Sequence, residues 1–301
     1  MIIEEKINNC NICYSANYPI HIKEYYNYCV KLLKQVLRNI DSPLNILMGG
    51  KIDWRPKSDI PILKIDVQCE HTLVKEGGRG VGRKIFGKVK TNEEKNYLVR
   101  IDQFEYLNSL NFIIEYSLPN IFNIKESGLF DNYLKKIIYI APSIYDSCFD
   151  KDYKTETITL FTSNESKRRS DFYHKMTLNH TNCINVDDCY SEHDLKNRYK
   201  KTRIMVNVHQ TDHHHTFEEL RVLPALCNGV IVISESVPLK ELIPYNKSII
   251  WSDYENLAKT TMEVQKNYND YYKDIFNDEL YYLLEKMRDN NINNLKRNIF
   301  Q

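Results

Sequence analysis

Two largely apolar runs, 204–208 with Asn207 as its one polar residue and 230–234 ending in Ser234, bracket a polar loop and a helical pattern over 217–227 that stops at Gly229. Short apolar runs bounded by turn signals are the mark of strands buried on both faces. A glycine lets the helix end and the chain re-enter a sheet closely. The order strand, loop, helix, glycine, strand predicts α/β layering on a largely parallel sheet.

The alternation extends in both directions. Upstream, strands are expected at 7–14, 44–48, 62–67, 111–116 and 136–140. A helix over 21–39 carries Tyr25, Tyr28, Cys29, Leu32, Leu33, Val36 and Leu37 on one stripe. A glycine-rich segment, 76–84, reads as a loop. The segment 141–155 has no strong period and marks the domain boundary. Beyond it, strands at 157–162, 183–186, 204–208, 230–234 and 248–251 alternate with helices from 166, at 192–199 and at 217–227. This is the repeated βα unit of a doubly wound, Rossmann-like half. The tail from Tyr254 reads as one or two long helices with an apolar face that includes Tyr271, Tyr272, Ile275, Leu280 and Leu284. The expected division is 1–145, 155–262, and a helical tail over 263–301 that packs back on the first domain.

Composition narrows the partners. A chain of 301 residues has room for about two domains, and 42% apolar residues can fill their cores. A net charge of +1 gives no global field for nucleic acid or an anionic membrane. No apolar stretch is long enough to cross a membrane. Glu4, Glu5 and Lys6 break the start where a signal peptide would be apolar. The eight scattered cysteines suit reduced thiols in a cytoplasmic setting. Cys10 and Cys13 lie in a strand-like run without a second pair at zinc spacing, as buried structural thiols do.

Chemistry concentrates at 209–235. The loop opening at His209 lies at the carboxyl end of a strand, where open α/β sheets bind ligands. It leads into a helix N-terminus, whose free N–H groups and dipole favour a diphosphate. Glu218 and Glu219 fall in the first helical turn, placed to accept ribose hydroxyls. The pattern from Thr216 through Phe217, Glu218, Glu219 and Arg221 to Ala225, Gly229, Ser234 and Glu235 resembles the donor-binding motif of GT-B glycosyltransferases, closest to their group-1-like branch. Pro238 to Pro244 and Ile249 to Leu257 continue in the manner of that family. The resemblance covers roughly 157–260. It implies two Rossmann-like domains facing across a cleft, with a nucleotide-sugar donor in the second.

On that resemblance the donor side comprises Ser163, Arg168, Arg169, His215, Thr216, Phe217, Glu218, Glu219, Arg221 and Glu235. The family's second glutamate is replaced by Pro224, which moves the carboxylate role to Glu218 or Glu219 and implies a kink or fresh helix start. Arg168 and Arg169 are suited to chelating phosphate oxygens, the plainer alternative being a solvated basic helix start. His209 is either a donor contact or base, or a hydrogen-bonded strand-end histidine. Adjacent histidines 213–215 converge poorly on one ion, so no metal is expected, in keeping with metal-independent transfer in the family. On the acceptor side, Glu70 and His71 are candidate bases and Gly49 and Gly50 a candidate glycine turn, each with a structural alternative. The glycines and arginines of 77–84 lack the ending of a P-loop.

The expected activity is transfer of a sugar from a nucleotide-diphosphate donor, UDP- or GDP-sugar, to a hydroxyl on a glycan or related acceptor. No other cofactor, nucleic-acid partner or membrane span is expected. The alternatives are a non-catalytic nucleotide-binding module of the same fold and a metal-dependent hydrolase built on the histidine run.

Overall fold

The computed structural model describes residues 2–19, 22–49, 52–56, 59–70, 72–75, 85–90, 96–160, 167–179, 181–187, 191–211 and 216–300, with backbone alone at 75, 85–90, 96, 97 and 192. The chain divides into two compact units. Unit 1 comprises Met1–Leu73, Gly80–Ala141 and Arg288–Gln301, and unit 2 comprises Val74–Arg79 and Pro142–Met287.

Unit 1 begins with a hairpin. Strands β1 (Ile2–Ile7) and β2 (Cys10–Ser15) pair antiparallel. The single strand expected at 7–14 is thus split. Asn8 adopts φ 52°, a left-handed conformation asparagine tolerates. Its amide and that of Asn9 bond Ile40 O at 2.7 Å and Asp41 O at 2.9 Å. The turn is anchored by side-chain amides, a signal that apolar periodicity does not carry.

Helix α1 (Lys23–Leu37) buries Tyr25, Tyr26, Cys29, Leu33, Val36 and Leu37. It is followed by β3 (Leu44–Met48), β4 (Ile62–Gln68), β5 (Leu73–Lys75), β6 (Ile85–Lys90) and β7 (Asn96–Ile101). Then come α2 (Phe104–Asn108), β8 (Phe112–Glu115), α3 (Leu118–Glu126), α4 (Asp131–Leu134) and β9 (Ile137–Tyr139). Among the described residues the main sheet has the order β1-β2-β3-β4-β8-β9, with β2 through β9 parallel. That order never reverses, unlike the doubly wound arrangement. A smaller sheet, β5-β7-β6, includes an antiparallel β6/β7 pair that the sequence pattern did not reveal. Lysines 88 and 90 and Arg100 interrupt its apolar runs.

Unit 2 contains β10 (Glu156–Thr159), α5 (Lys167–Leu178), β11 (Ile184–Asn185), α6 (Glu192–Lys201), β12 (Thr202–Asn207), α7 (Glu219–Cys227), β13 (Ile231–Glu235) and β14 (Ile249–Ser252). Its sheet is parallel throughout, in the order β11-β10-β12-β13-β14. Every residue of β13 is buried, as a central parallel strand requires. Helix α7 runs through Pro224 as one element, without the fresh start that proline suggested. It ends in a Schellman turn: Gly229 at φ 66° donates to Leu226 O, and Val230 donates to Ala225 O.

The tail forms α8 (Leu257–Lys266), α9 (Tyr268–Ile275) and α10 (Asp278–Phe300). From Arg288 onward α10 belongs to unit 1. There the buried Asn291 accepts the Ala141 N–H at 2.8 Å and donates to Ala141 O and Tyr28 Oη, both at 2.9 Å. The protein is a mixed α/β fold built largely on parallel sheets, with a C-terminal helix.

Candidate functional site

The strand order of unit 2 reverses at β10: the chain passes from it to β11 on one side, then returns to β12 on the other. Ligands of open α/β sheets settle outside the carboxyl ends of the strands at such a switch point. The polar groups of this edge gather there. Asn207, the last residue of β12, donates to Glu218 Oε2 at 2.8 Å and to Ser234 Oγ at 3.0 Å. Glu235, ending β13, accepts the His209 N–H at 2.7 Å on Oε2 and an Arg168 guanidinium N–H on Oε1. His209 is 5% exposed, with Nε2 3.6 Å from Glu218 Oε2.

The arginines enter from the first turn of α5. Cations there oppose the helix dipole, at a cost of about 0.3–1 kcal/mol each, so helix stability does not explain them. Arg168 lies over the Tyr254 ring, 3.9 Å from its centroid, while Tyr254 Oη donates to Arg168 O at 2.7 Å. Arg169 is 3% exposed, and its Nε donates to Val208 O at 3.4 Å. Burial lowers its guanidinium pKa to about 10; repulsion from Arg221 adds to this, while Glu218 and Glu235 oppose it. Arg168 Nε and Arg221 Nη1 are buried and make no hydrogen bond among the described residues. Three guanidiniums thus share this edge with the carboxylates of Glu218 and Glu235. Such an arrangement suits an anion with several acceptor oxygens.

Among the other expected donor residues, Glu219 is 1% exposed and accepts the Tyr245 hydroxyl at 2.7 Å. Thr216 and Phe217 are buried, Phe217 against the Trp251 ring at 4.9 Å. Ser163 and the histidines 213–215 fall outside the described residues, as do Gly50, His71 and the loop 76–84. Among the described residues no group of three or more His, Cys, Asp or Glu side chains is placed to hold a metal ion.

In unit 1, Gly49 follows β3 at φ 79° and donates to Ile65 O at 3.0 Å. Glu70 lies 3.7 Å from Arg100. It lines a cavity of about 540 Å³ together with Asp66, Asp102, Tyr18 and Tyr106. Asp66 is buried and accepts the hydroxyls of Tyr18 and Tyr106, each at 2.6 Å. Burial, followed by the negative charge of Asp66, raises both phenols well above the ordinary tyrosine range. Asn207, Ser234, Tyr254 and the Asp66–tyrosine group were not identified as site residues from sequence. The polar strand-end positions of Asn207 and Ser234 were the available signal; the tyrosines are distant in sequence from what they touch.

Fold and site together define a mixed α/β protein with an arginine-rich polar site at the carboxyl edge of a parallel sheet. No family model matches the chain. Uncharacterized protein R358 of Acanthamoeba polyphaga mimivirus is 30% identical over 221 residues, 68% of this chain and 75% of the viral protein. The chain belongs to the same family as that protein.

Proposed function

We propose that this protein is a metal-independent glycosyltransferase of the GT-B class. It moves a sugar from a nucleoside-diphosphate donor to a hydroxyl on a glycan or related acceptor, in the cytoplasm. The carrying observation is the cluster of Arg168, Arg169 and Arg221 with Glu218 and Glu235 at the switch point of unit 2. In this reading the guanidiniums hold the diphosphate and stabilise the negative charge that grows on it as the glycosidic bond breaks. Glu218 is the carboxylate for donor hydroxyls, since Glu219 is engaged by Tyr245. Unit 1 supplies the acceptor side, with Glu70 as the described candidate for removing the acceptor's proton. No helix among the described residues is long and apolar enough to cross a membrane.

The test is binding and turnover of UDP-, GDP- and dTDP-sugars in the presence of a chelator. At least one is expected to bind and to be hydrolysed or transferred, and Glu218→Ala to weaken that activity. Absence of binding and turnover across the panel overturns the proposal.

A further inference from the structure

Arg168 is not idle in this structure: its guanidinium is held by the carboxylate of Glu235. We propose that Glu235 is a displaceable stand-in for the second phosphate of a diphosphate ligand: Arg168 gives the site its preference for diphosphates over monophosphates, and the carboxylate that the second phosphate must displace holds that preference down. The proposal rests on the donor-site reading above and goes beyond it by giving Glu235 a part in ligand selection.

The two oxygens of Glu235 have different partners. Oε2 takes the backbone N–H of His209, a fixed group at the end of β12, whereas Oε1 takes Arg168. Arg168 is about a quarter exposed, with 24% of its side-chain surface accessible, and the Tyr254 ring supports one face of its guanidinium. It therefore has an edge open to an incoming oxyanion while stacking preserves its plane. Arg169 is 3% exposed and feels the charge of Arg221. That inner pair takes a first phosphate without disturbing Glu235. A second phosphate on the same ligand reaches Arg168 and must displace Oε1. Glu235 then keeps the His209 N–H and leaves Oε1 to accept a ligand hydroxyl. A monophosphate gains the inner pair alone, so it neither meets the competing carboxylate nor benefits from Arg168.

Inorganic phosphate and pyrophosphate are the probes, titrated calorimetrically into the full chain and its Glu235→Gln, Arg168→Gln and doubly substituted forms. Glutamine keeps an acceptor for the His209 N–H but gives up the charge that competes for Arg168. Glu235→Gln is expected to tighten pyrophosphate binding about tenfold, with phosphate changed less than about twofold. Arg168→Gln is expected to weaken pyrophosphate selectively and to abolish the gain from Glu235→Gln, a coupling that the double-mutant cycle measures. A gain shared equally by phosphate, or one that persists without Arg168, is a general charge effect and overturns the exchange. Unchanged or weaker pyrophosphate binding in a folded Glu235→Gln protein also overturns it. Should that variant not fold, Arg168→Gln alone decides: equal losses for both probes, or no loss, refute the proposal. If nucleoside diphosphates bind but these selective effects are missing, only the exchange fails. If no form binds either probe or any nucleoside diphosphate, the donor reading fails with it.

Discussion

Glu235 accepts the backbone N–H of His209 at 2.7 Å, tying the carboxyl ends of two neighbouring parallel strands, β12 and β13, beyond the last ladder pair, Asn207 with Ser234. The same carboxylate holds Arg168. One side chain thereby links the geometry of the sheet edge to the charge of the site.

Glu235→Ala leaves the His209 N–H and the Arg168 guanidinium without this partner. Loss of a buried acceptor costs about 1–3 kcal/mol, and Glu235→Gln is expected to lose less because the amide oxygen still accepts. Urea unfolding of the two variants alongside the parent chain measures the difference.

Arg221→Gln removes one of the two like charges at the inner end of the cluster. Charge-assisted hydrogen bonds are worth about 1.5–3 kcal/mol, so nucleoside-diphosphate affinity is expected to fall roughly ten- to hundredfold by the same principle's magnitude. Folding should be little disturbed, since relief of repulsion on Arg169 offsets lost packing. Calorimetry with UDP and GDP tests the affinity, and thermal unfolding tests the fold.

Gly49→Ala meets two obstacles. The residue sits at φ 79°, and an added Cβ would lie 2.4 Å from Tyr26 Oη. That hydroxyl cannot simply swing aside: it donates to Met48 O at 2.7 Å and accepts Ser15 N–H at 3.1 Å. The expected loss is about 2–4 kcal/mol from strain and overpacking together. Gly128→Ala is the control, because its φ of 65° is similar but no atom lies within 4 Å of the added Cβ. It should lose about 1–2 kcal/mol from the backbone alone, as denaturant midpoints would show.

Asn291→Ala unties α10 from Ala141. The side chain satisfies both the N–H and the carbonyl of that residue, which is itself fully buried. Leaving them unmet is expected to cost about 2–4 kcal/mol. Hydrogen exchange at the Ala141 amide should accelerate in step with the loss of stability.

Alkali is expected to destabilise the fold through its buried thiols. Burial pushes Cys13 up to about 11, with Glu4 adding to the effect, and raises Cys29 further. An unfolded cysteine titrates near about 8.5. The native state keeps protons that the unfolded chain releases, so this contribution is fully present below about pH 8.5 and declines as pH rises toward the folded values. Unfolding free energies at pH 8 and pH 10 should therefore differ less in Cys29→Ala than in the parent chain.

Much of the architecture was legible along the chain. The strand at 44–48 and the helix ending at Cys227 coincide with β3 and the end of α7, because short, mostly apolar runs and a glycine stop are local signals. The hairpin of β1 and β2 was hidden, since its turn depends on amide bonds to residues more than 30 positions away. The β6/β7 pair was hidden as well, its apolar residues being interleaved with charge.

The site divides in the same way. Residue type and the strand–loop–helix order, which depend only on near neighbours, singled out Glu218, and the resemblance to the GT-B donor motif added Arg168, Arg169, Arg221 and Glu235. Sequence alone left Glu218 and Glu219 equivalent. Tertiary structure separated them, turning Glu219 inward to Tyr245 and Glu218 toward Asn207 and His209. It also joined Glu235 to Arg168 across 67 positions of sequence. Pairings of that kind depend on strand order and on which side chains burial brings together, and neither quantity is encoded in any local period.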